Sequence, residues 1–267
     1  MNDTLLKVRG LTFKFGPREV LAGVDLDIPR GKVTAILGPT ACGKTTLLNL
    51  VGGQLQPAAG TVEFDGINVH SLSRSELFKL RLRMGRLFQA NALLTDLTVF
   101  ENVAFPMREH TNLPERLIRT IVLTKLQTVG LRGSRDLFPH QLSGGMMRRI
   151  GLARAIAMDP DLVMYDEPYA GQDPITLGAL MRLIRQFNDA LGLTSIVVSH
   201  SVEEALSVCD YACVLLDGRI RAQGTPEELR ATTEPSVQQF LQGAADGPVP
   251  FHYPAASMSA DFMPATR

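Results

Sequence analysis

Between residues 4 and 30 apolar side chains fall on alternate positions, first in LLKVRGLTF and again in VLAGVDLDI, with the turn-forming stretch FGPRE between them. That period of two predicts a pair of strands with one buried face. KVTAIL (32–37) is instead a short apolar run with β-branched residues, a strand, and LLNLVGG after it has helical character up to its glycines. GTVEFDGINV predicts a strand pair turning at Asp65-Gly66. From 90 to 158 the spacing becomes helical, in LTVFENVAFPM, PERLIRTIVLTKLQTVGL and LSGGMMRRIGLARAIAM, so a helical insertion is expected. Strand-like runs return at LVMY (162–165) and SIVVS (195–199), separated by the helical ITLGALMRLIRQFNDALG, which is the rhythm of a parallel sheet. A last pair, YACVLLDGRIRAQG, turns at Asp217-Gly218, and from residue 243 the chain loses periodicity and becomes rich in Pro and Ala.

The expected class is therefore α/β. The divisions are 1–89, an N-terminal antiparallel β region with the first half of a core; 90–158, a helical subdomain; 159–225, the second half of the core; and 226–267, a C-terminal extension. In that extension Phe251, Tyr253 and Phe262, interleaved with prolines, suit an extended segment that docks on another surface.

Composition narrows the function. With 45% apolar residues in 267 the chain can build a large core, and 27 basic against 27 acidic side chains leave no basic footprint, so no nucleic-acid partner is expected. The densest basic stretch, KLRLRMGR (79–86), is interleaved with Leu and Met and is expected to be a solvated helix face. Three cysteines give no disulfide framework and suggest a reducing compartment. No 18 apolar residues run together, and the first residues have no signal-like apolar core, so the chain is not expected to cross a membrane by itself.

The chemistry begins at GPTACGKTT, which follows a predicted strand and opens a predicted helix. In that setting Gly38, Pro39, Thr40, Ala41, Cys42, Gly43, Lys44, Thr45 and Thr46 form a phosphate loop: backbone N–H groups and the helix dipole favour anionic oxygens, Lys44 reaches the β- and γ-phosphates, and the Thr45 hydroxyl binds Mg²⁺. A glycine-rich turn beside a solvated lysine would show the same letters without strand and helix around it. Asp166 and Glu167 stand at the mouth of the strand LVMY, where doubly wound sheets bind ligands. Asp166 is placed to hold Mg²⁺ and Glu167 to deprotonate an attacking water. His200 ends SIVVS in the same way and is placed to donate to a γ-phosphate, Gln89 ends RLFQ and can meet metal and water, and Phe15 can stack on a base. Read otherwise, an acidic pair at a strand end is a turn or helix cap, and a lone histidine is an ordinary polar residue. LSGGMMRR supplies a second anion cradle at Ser143, Gly144 and Gly145. One chain has one γ-phosphate to hold, so this cradle needs a second copy of the protein.

In this order and spacing the motifs resemble those of the ATP-binding cassette (ABC) nucleotide-binding subunits, across roughly residues 4–225. The resemblance implies a P-loop NTPase with a RecA-like core and ATP and Mg²⁺ as ligands. It also implies a dimer in which Ser143, Gly144, Gly145 and Asp173, the last in AGQD, serve the neighbour's nucleotide. Ala41 and Phe15 depart from a common glycine and a common tyrosine, which bears on ATP affinity. AGQDPITLG, FPMREHTNLP and ADGPVPFHYP further resemble the branch of the family that drives phospholipid transport at Gram-negative inner membranes. That likeness implies a peripheral place on the cytoplasmic face, a permease docked between Gln89 and the helical subdomain, a small STAS-domain protein and an MCE-domain lipid-binding protein. The core motifs leave another small-molecule cargo open. A soluble ABC protein acting on DNA or ribosomes would carry tandem cassettes or coiled-coil insertions, and a small-molecule kinase would not need LSGG.

Overall fold

The computed structural model describes residues 3–89 and 92–249. β1 (Thr4–Phe15) and β2 (Arg18–Pro29) pair antiparallel through several register shifts, and β1 pairs on its other side with β4 (Ala59–Phe64), which turns at Asp65-Gly66 into β5 (Ile67–Asn68). The resulting four-stranded sheet has the order β2-β1-β4-β5.

The second sheet is built from β3 (Val33–Leu37), β6 (Met84–Leu87), β7 (Leu162–Asp166), β8 (Thr194–Ser199), β9 (Tyr211–Leu216) and β10 (Arg219–Gly224), in the order β10-β9-β3-β8-β7-β6. β9, β3, β8, β7 and β6 run parallel, and β10 returns antiparallel after Asp217-Gly218. Every residue of β3, β7 and β8 is buried, because the sheet is covered on both faces. Ile36, Met164, Ile196 and Val198 face the antiparallel sheet and α1 (Lys44–Val51). Ala35, Leu37, Val163, Tyr165 and Val197 face the opposite core.

Helices complete that second core. Between β5 and β6 lies α2 (Arg74–Arg81); between β6 and β7 lie α3 (Val99–His110), α4 (Glu115–Thr128) and α5 (Gly144–Ala155), which pack on one another. α6 (Pro174–Leu191) joins β7 to β8, α7 (Val202–Val208) joins β8 to β9, and α8 (Pro226–Arg230) and α9 (Pro235–Gln242) follow β10. The last turn of α5 lies directly against β6: a Cβ on Gly85 would sit 2.2 Å from the Ala155 carbonyl oxygen, so only glycine permits the approach. Buried Asn102 of α3 fixes the loop before that helix, accepting from Leu94 N–H at 2.8 Å and donating to the carbonyls of Leu94, Leu97 and Thr98.

The basic stretch 79–86 is not a solvated helix face. The helix ends at Arg81, the chain becomes a strand at Met84, and the arginines turn inward to acceptors from distant segments. Arg81 donates to the Gly52 and Gly53 carbonyls, Arg83 to Asp65 and Asp161, and Arg86 to Asp166. Long-range acceptors thus override the local helical spacing.

Asp65 ties the two sheets together, bonding Arg30 at 2.5 Å and Arg83 at 2.7 Å from opposite oxygens, while Arg83 Nε reaches Asp161 at 2.6 Å. The hydrogen bonds from Arg83 and then Arg30 hold the Asp65 carboxyl below its ordinary range. A depressed carboxyl contributes stability above its unfolded value, and that stability is lost as pH falls through the folded value. Asp65→Asn keeps a residue that tolerates the left-handed φ of 54° found here. It should lower stability at pH 7 by about 0.5–1 kcal/mol, the network being more than a third exposed, with the deficit fading below about pH 4. Denaturant titrations of both proteins from pH 7 to pH 3 check this; a deficit that does not change with pH would contradict it.

Candidate nucleotide site

The loop from β3 into α1 is shaped by its backbone. A Cβ on Gly38 would meet Leu215 O at 2.4 Å and Cys42 Sγ at 2.7 Å, so the loop can lie on the sheet edge only with glycine there. Ala41 and Gly43 both have left-handed φ, 65° and 110°. α1 opens at Lys44 with no side chain capping its first turn, which leaves its N–H groups to a ligand. Lys44 is buried, and its Nζ donates to the carbonyls of Gly38 at 2.7 Å and Pro39 at 2.9 Å. Burial pushes the Cys42 thiol up despite the Lys44 ammonium beside it, so it is a neutral loop residue.

Because β3, β6, β7 and β8 are parallel neighbours, their C-terminal ends reach the same edge of the sheet as this loop. Thr45 Oγ1 donates to Asp166 Oδ1 at 2.9 Å. Glu167, buried and in a left-handed conformation with φ 48°, takes three groups: Lys44 Nζ lies 3.3 Å from Oε1, and His200 approaches Oε2 with Nδ1 at 2.9 Å and its backbone N–H at 3.2 Å. Phe15, Thr40, Ala41, Gly43, Lys44, Thr45, Thr46, Gln89, Glu167 and His200 line one cavity of ≈360 Å³. All the residues predicted to act within one chain are in it or, for Gly38, Pro39, Cys42 and Asp166, bonded or adjacent to its wall. Phe15 is 56% exposed at the rim, its ring T-shaped against Phe13 with centroids 4.8 Å apart.

Ser143, Gly144, Gly145 and Asp173 are not in this cavity. Ser143 caps α5, its hydroxyl accepting from Met146 N–H at 3.2 Å, and Asp173 caps α6 through Ile175 N–H and Thr176 N–H, both at 3.0 Å. Hydrogen bonding to Thr176 and Ile175 keeps the Asp173 carboxyl low and ionised. The two helix starts are neighbours, since a Cβ on Gly145 would lie 2.6 Å from Thr176 Cγ2. Ile175 beside them is 86% exposed.

A protein-family model described as "ABC transporter" matches residues 21–170, and curated relatives align along nearly the whole chain. The chain belongs to the ABC transporter family. It is 56% identical over 255 residues to the intermembrane phospholipid transport system ATP-binding protein MlaF of Haemophilus influenzae, covering 96% of this chain and 97% of that one. With the protein of the same name from Escherichia coli the identity is 53% over 262 residues, 98% and 97% of the two chains. Among solved structures, cbiO1 of Clostridium perfringens, part of the ABC transporter complex cbiONQ, superposes with a TM-score of 0.80 at 34% identity, over 87% of this chain and 93% of that one. A dimeric ATP-binding cassette in a post-hydrolysis state, bound to ADP and Pi, superposes with a TM-score of 0.76 at 30% identity, over 83% and 98%. As an ABC ATPase the chain binds ATP and hydrolyses it.

Four residues at the site lie outside the predicted set. Arg18 and Val20 line the cavity from the start of β2. Buried Arg148 of α5 donates to the Glu167 and Ala170 carbonyls at 3.2 Å each, bracing the strained backbone after β7. Arg86 Nη2 bonds Asp166 Oδ2 at 2.9 Å. Arg148 sits in a quoted motif, LSGGMMRR, but its partner is apparent only when α5 and β7 are brought together.

An L-residue with a side chain in the left-handed region costs roughly 1–2 kcal/mol, offset in part by glycine's larger unfolded-state entropy. Ala41→Gly is therefore expected to stabilise the protein by about 0.5–1 kcal/mol. Chemical denaturation measures it; a loss of stability would show that the loop does not hold Ala41 in the left-handed region.

Proposed function

We propose that this chain is the ATP-hydrolysing subunit of a phospholipid transporter of the bacterial inner membrane, bound peripherally on the cytoplasmic face and working as a pair of identical copies. The observation that carries the cargo is the 53–56% identity, along almost the whole chain, to ATP-binding proteins named for intermembrane phospholipid transport. Among the described residues no helix is long and apolar enough to cross a membrane, which fits a subunit that works through a membrane-spanning permease.

In this reading Lys44 and the N–H groups of α1 bind the phosphates, and Phe15 stacks on the base. The hydroxyl of Thr45, the carboxylate of Asp166 and the amide of Gln89 are hard oxygen donors of the kind Mg²⁺ takes, and the 2.9 Å contact of the first two supports the assignment. Mg²⁺ held there would neutralise charge on the phosphates. Glu167 accepts the proton of the attacking water, and His200, whose Nδ1 lies 2.9 Å from Glu167 Oε2, gives its ring N–H to the γ-phosphate in place of Glu167 when nucleotide is bound. Ser143, Gly144, Gly145 and Asp173 complete the site of a second copy, in keeping with their exposed place away from the cavity of their own chain.

A permease segment fits the groove of ≈450 Å³ between β6, α2 and α3, where Phe78, Phe88, Leu94 and Phe105 are all more than a third exposed. The likeness to phospholipid transporters extends the proposal to a small STAS-domain protein and an MCE-domain lipid-binding protein as further partners. The tail residues Phe251, Tyr253 and Phe262, expected to dock on a neighbouring subunit, lie outside the described residues.

Glu167→Gln should bind MgATP and dimerise yet turn over about 10²-fold or more slowly, since the carboxylate acts in the chemical step. Steady-state phosphate release checks this, and unchanged turnover would remove Glu167 from the role. Ser143→Arg should abolish hydrolysis in the homodimer while each monomer still binds ATP, whereas Lys44→Ala should lose binding or closure. Equal loss of nucleotide binding in both variants, measured at concentrations that keep the protein monomeric, would sink the arrangement in trans. The cargo is tested by isolating the chain with its membrane subunit and measuring ATP-dependent phospholipid movement in proteoliposomes. ATP hydrolysis without lipid movement would assign the same machinery to another small molecule.

A further inference from the structure

Arg86 stands between the two cavities of this face. It is carried on β6 with only 8% of its side chain exposed, and each end of its guanidinium is committed. Nη2 donates to Asp166 Oδ2 at 2.9 Å; Nη1 donates to Asn49 Oδ1 of α1 at 2.6 Å and to Gln54 Oε1 at 3.3 Å. The plane packs 4.8 Å from the centroid of Phe88, and Nε has no hydrogen-bond partner among the described residues. The other oxygen of Asp166 takes the Thr45 hydroxyl. One buried carboxylate is thus shared between the nucleotide cavity and an arginine that, with Phe88 and Gln54, lines the neighbouring groove.

We propose that Arg86 is a positioning residue that sets the affinity of Asp166 for a divalent cation and places it under the control of the permease segment in the groove. The proposal rests on the reading of Thr45 and Asp166 as the Mg²⁺ site. A guanidinium stays charged at any physiological pH, so a cation on the Thr45 side always meets a second positive charge on the far oxygen of the same carboxylate. Across a single carboxylate in a partly buried site this repulsion is only weakly screened. Arg86 thereby fixes the orientation of Asp166 while reducing its hold on the cation. Three further ties, to Asn49, Gln54 and Phe88, hold the guanidinium in place, and the last two belong to the groove. Arg81 and Arg154 line the groove beside Arg86, so a permease segment presenting a carboxylate is complementary to it and gives the guanidinium a competing acceptor there. Drawing it off Oδ2 returns the full carboxylate charge to the cation side.

The test uses the full chain carrying Glu167→Gln, which holds nucleotide without turnover, and reads the Mg²⁺ concentration that half-completes ATP-induced thermal stabilisation. Arg86→Met should lower that midpoint on the order of 10-fold, and Arg86→Gln, which keeps an amide for Asn49, should lower it in the same direction. Arg86→Lys, which retains the charge, should stay near the parent. If Arg86→Met does not fold, Arg86→Gln decides. Isolation with the membrane subunit should lower the parent's midpoint and leave those of the neutral variants unmoved. Equal or higher midpoints in the neutral variants overturn the proposal, as does a membrane subunit that shifts parent and neutral variants alike. A parent showing no Mg²⁺-dependent stabilisation by ATP at all would instead defeat the reading of the site on which the proposal stands.

Discussion

Three segments far apart in the chain meet on the carboxylate of Glu167: Lys44 from the phosphate loop, His200 from the end of β8, and, through the backbone beneath it, Arg148 from α5. A buried carboxylate without such partners would be strongly unfavourable, and removal of one partner from a buried pair costs several kcal/mol. The carboxylate therefore helps to order the site, apart from any part it takes in the chemistry. It fixes where the phosphate loop lies relative to β7, and Arg148 carries the same constraint to the helices between β6 and β7. The left-handed backbone at Glu167 is held by these contacts from three sides, which is the usual condition for strain to persist at a working site.

The residues proposed to act within one chain are legible because phosphate binding makes narrow demands. Backbone N–H groups can surround an anion only where the chain turns tightly, which selects Gly38 and Gly43, and the lysine and hydroxyl must follow at the first turn of the helix. Asp166, Glu167 and His200 are readable for a related reason: apolar runs buried on both faces mark β7 and β8, and a polar residue at the end of such a run emerges at the sheet's ligand-binding edge. Sequence reasoning also locates Ala41 at a position where glycine is common, and its φ of 65° explains why.

What remained hidden depends on partners distant in sequence. Interleaving with Leu and Met suggests a solvated helix face for Arg81, Arg83 and Arg86, yet each has an acceptor 28 to 80 residues away that decides its direction. Asn102 is likewise an ordinary helix residue by its letters, and its three carbonyl acceptors exist only because the loop from Leu94 to Thr98 folds back over it. Ser143 and Asp173 illustrate the opposite case. Their motifs are plain, but within one chain each does no more than cap a helix, so the sequence says more about them than the geometry of a single copy does.

The contact of Gly85 with Ala155 gives β6 a mechanical character. At one end the strand is pressed onto the last turn of α5 with no side chain between them; at the other, two residues beyond Leu87, it delivers Gln89 to the nucleotide cavity. Extended chain rises about 3.3 Å per residue and has no slack to take up. Of the four strand residues, two carry the glycine contact and the Arg86 bond, so half of its length is fixed by contacts with other elements. β6 is thus a short, stiff strut, and the turn that carries Gln89 starts from a strand whose position is set by its contact with α5.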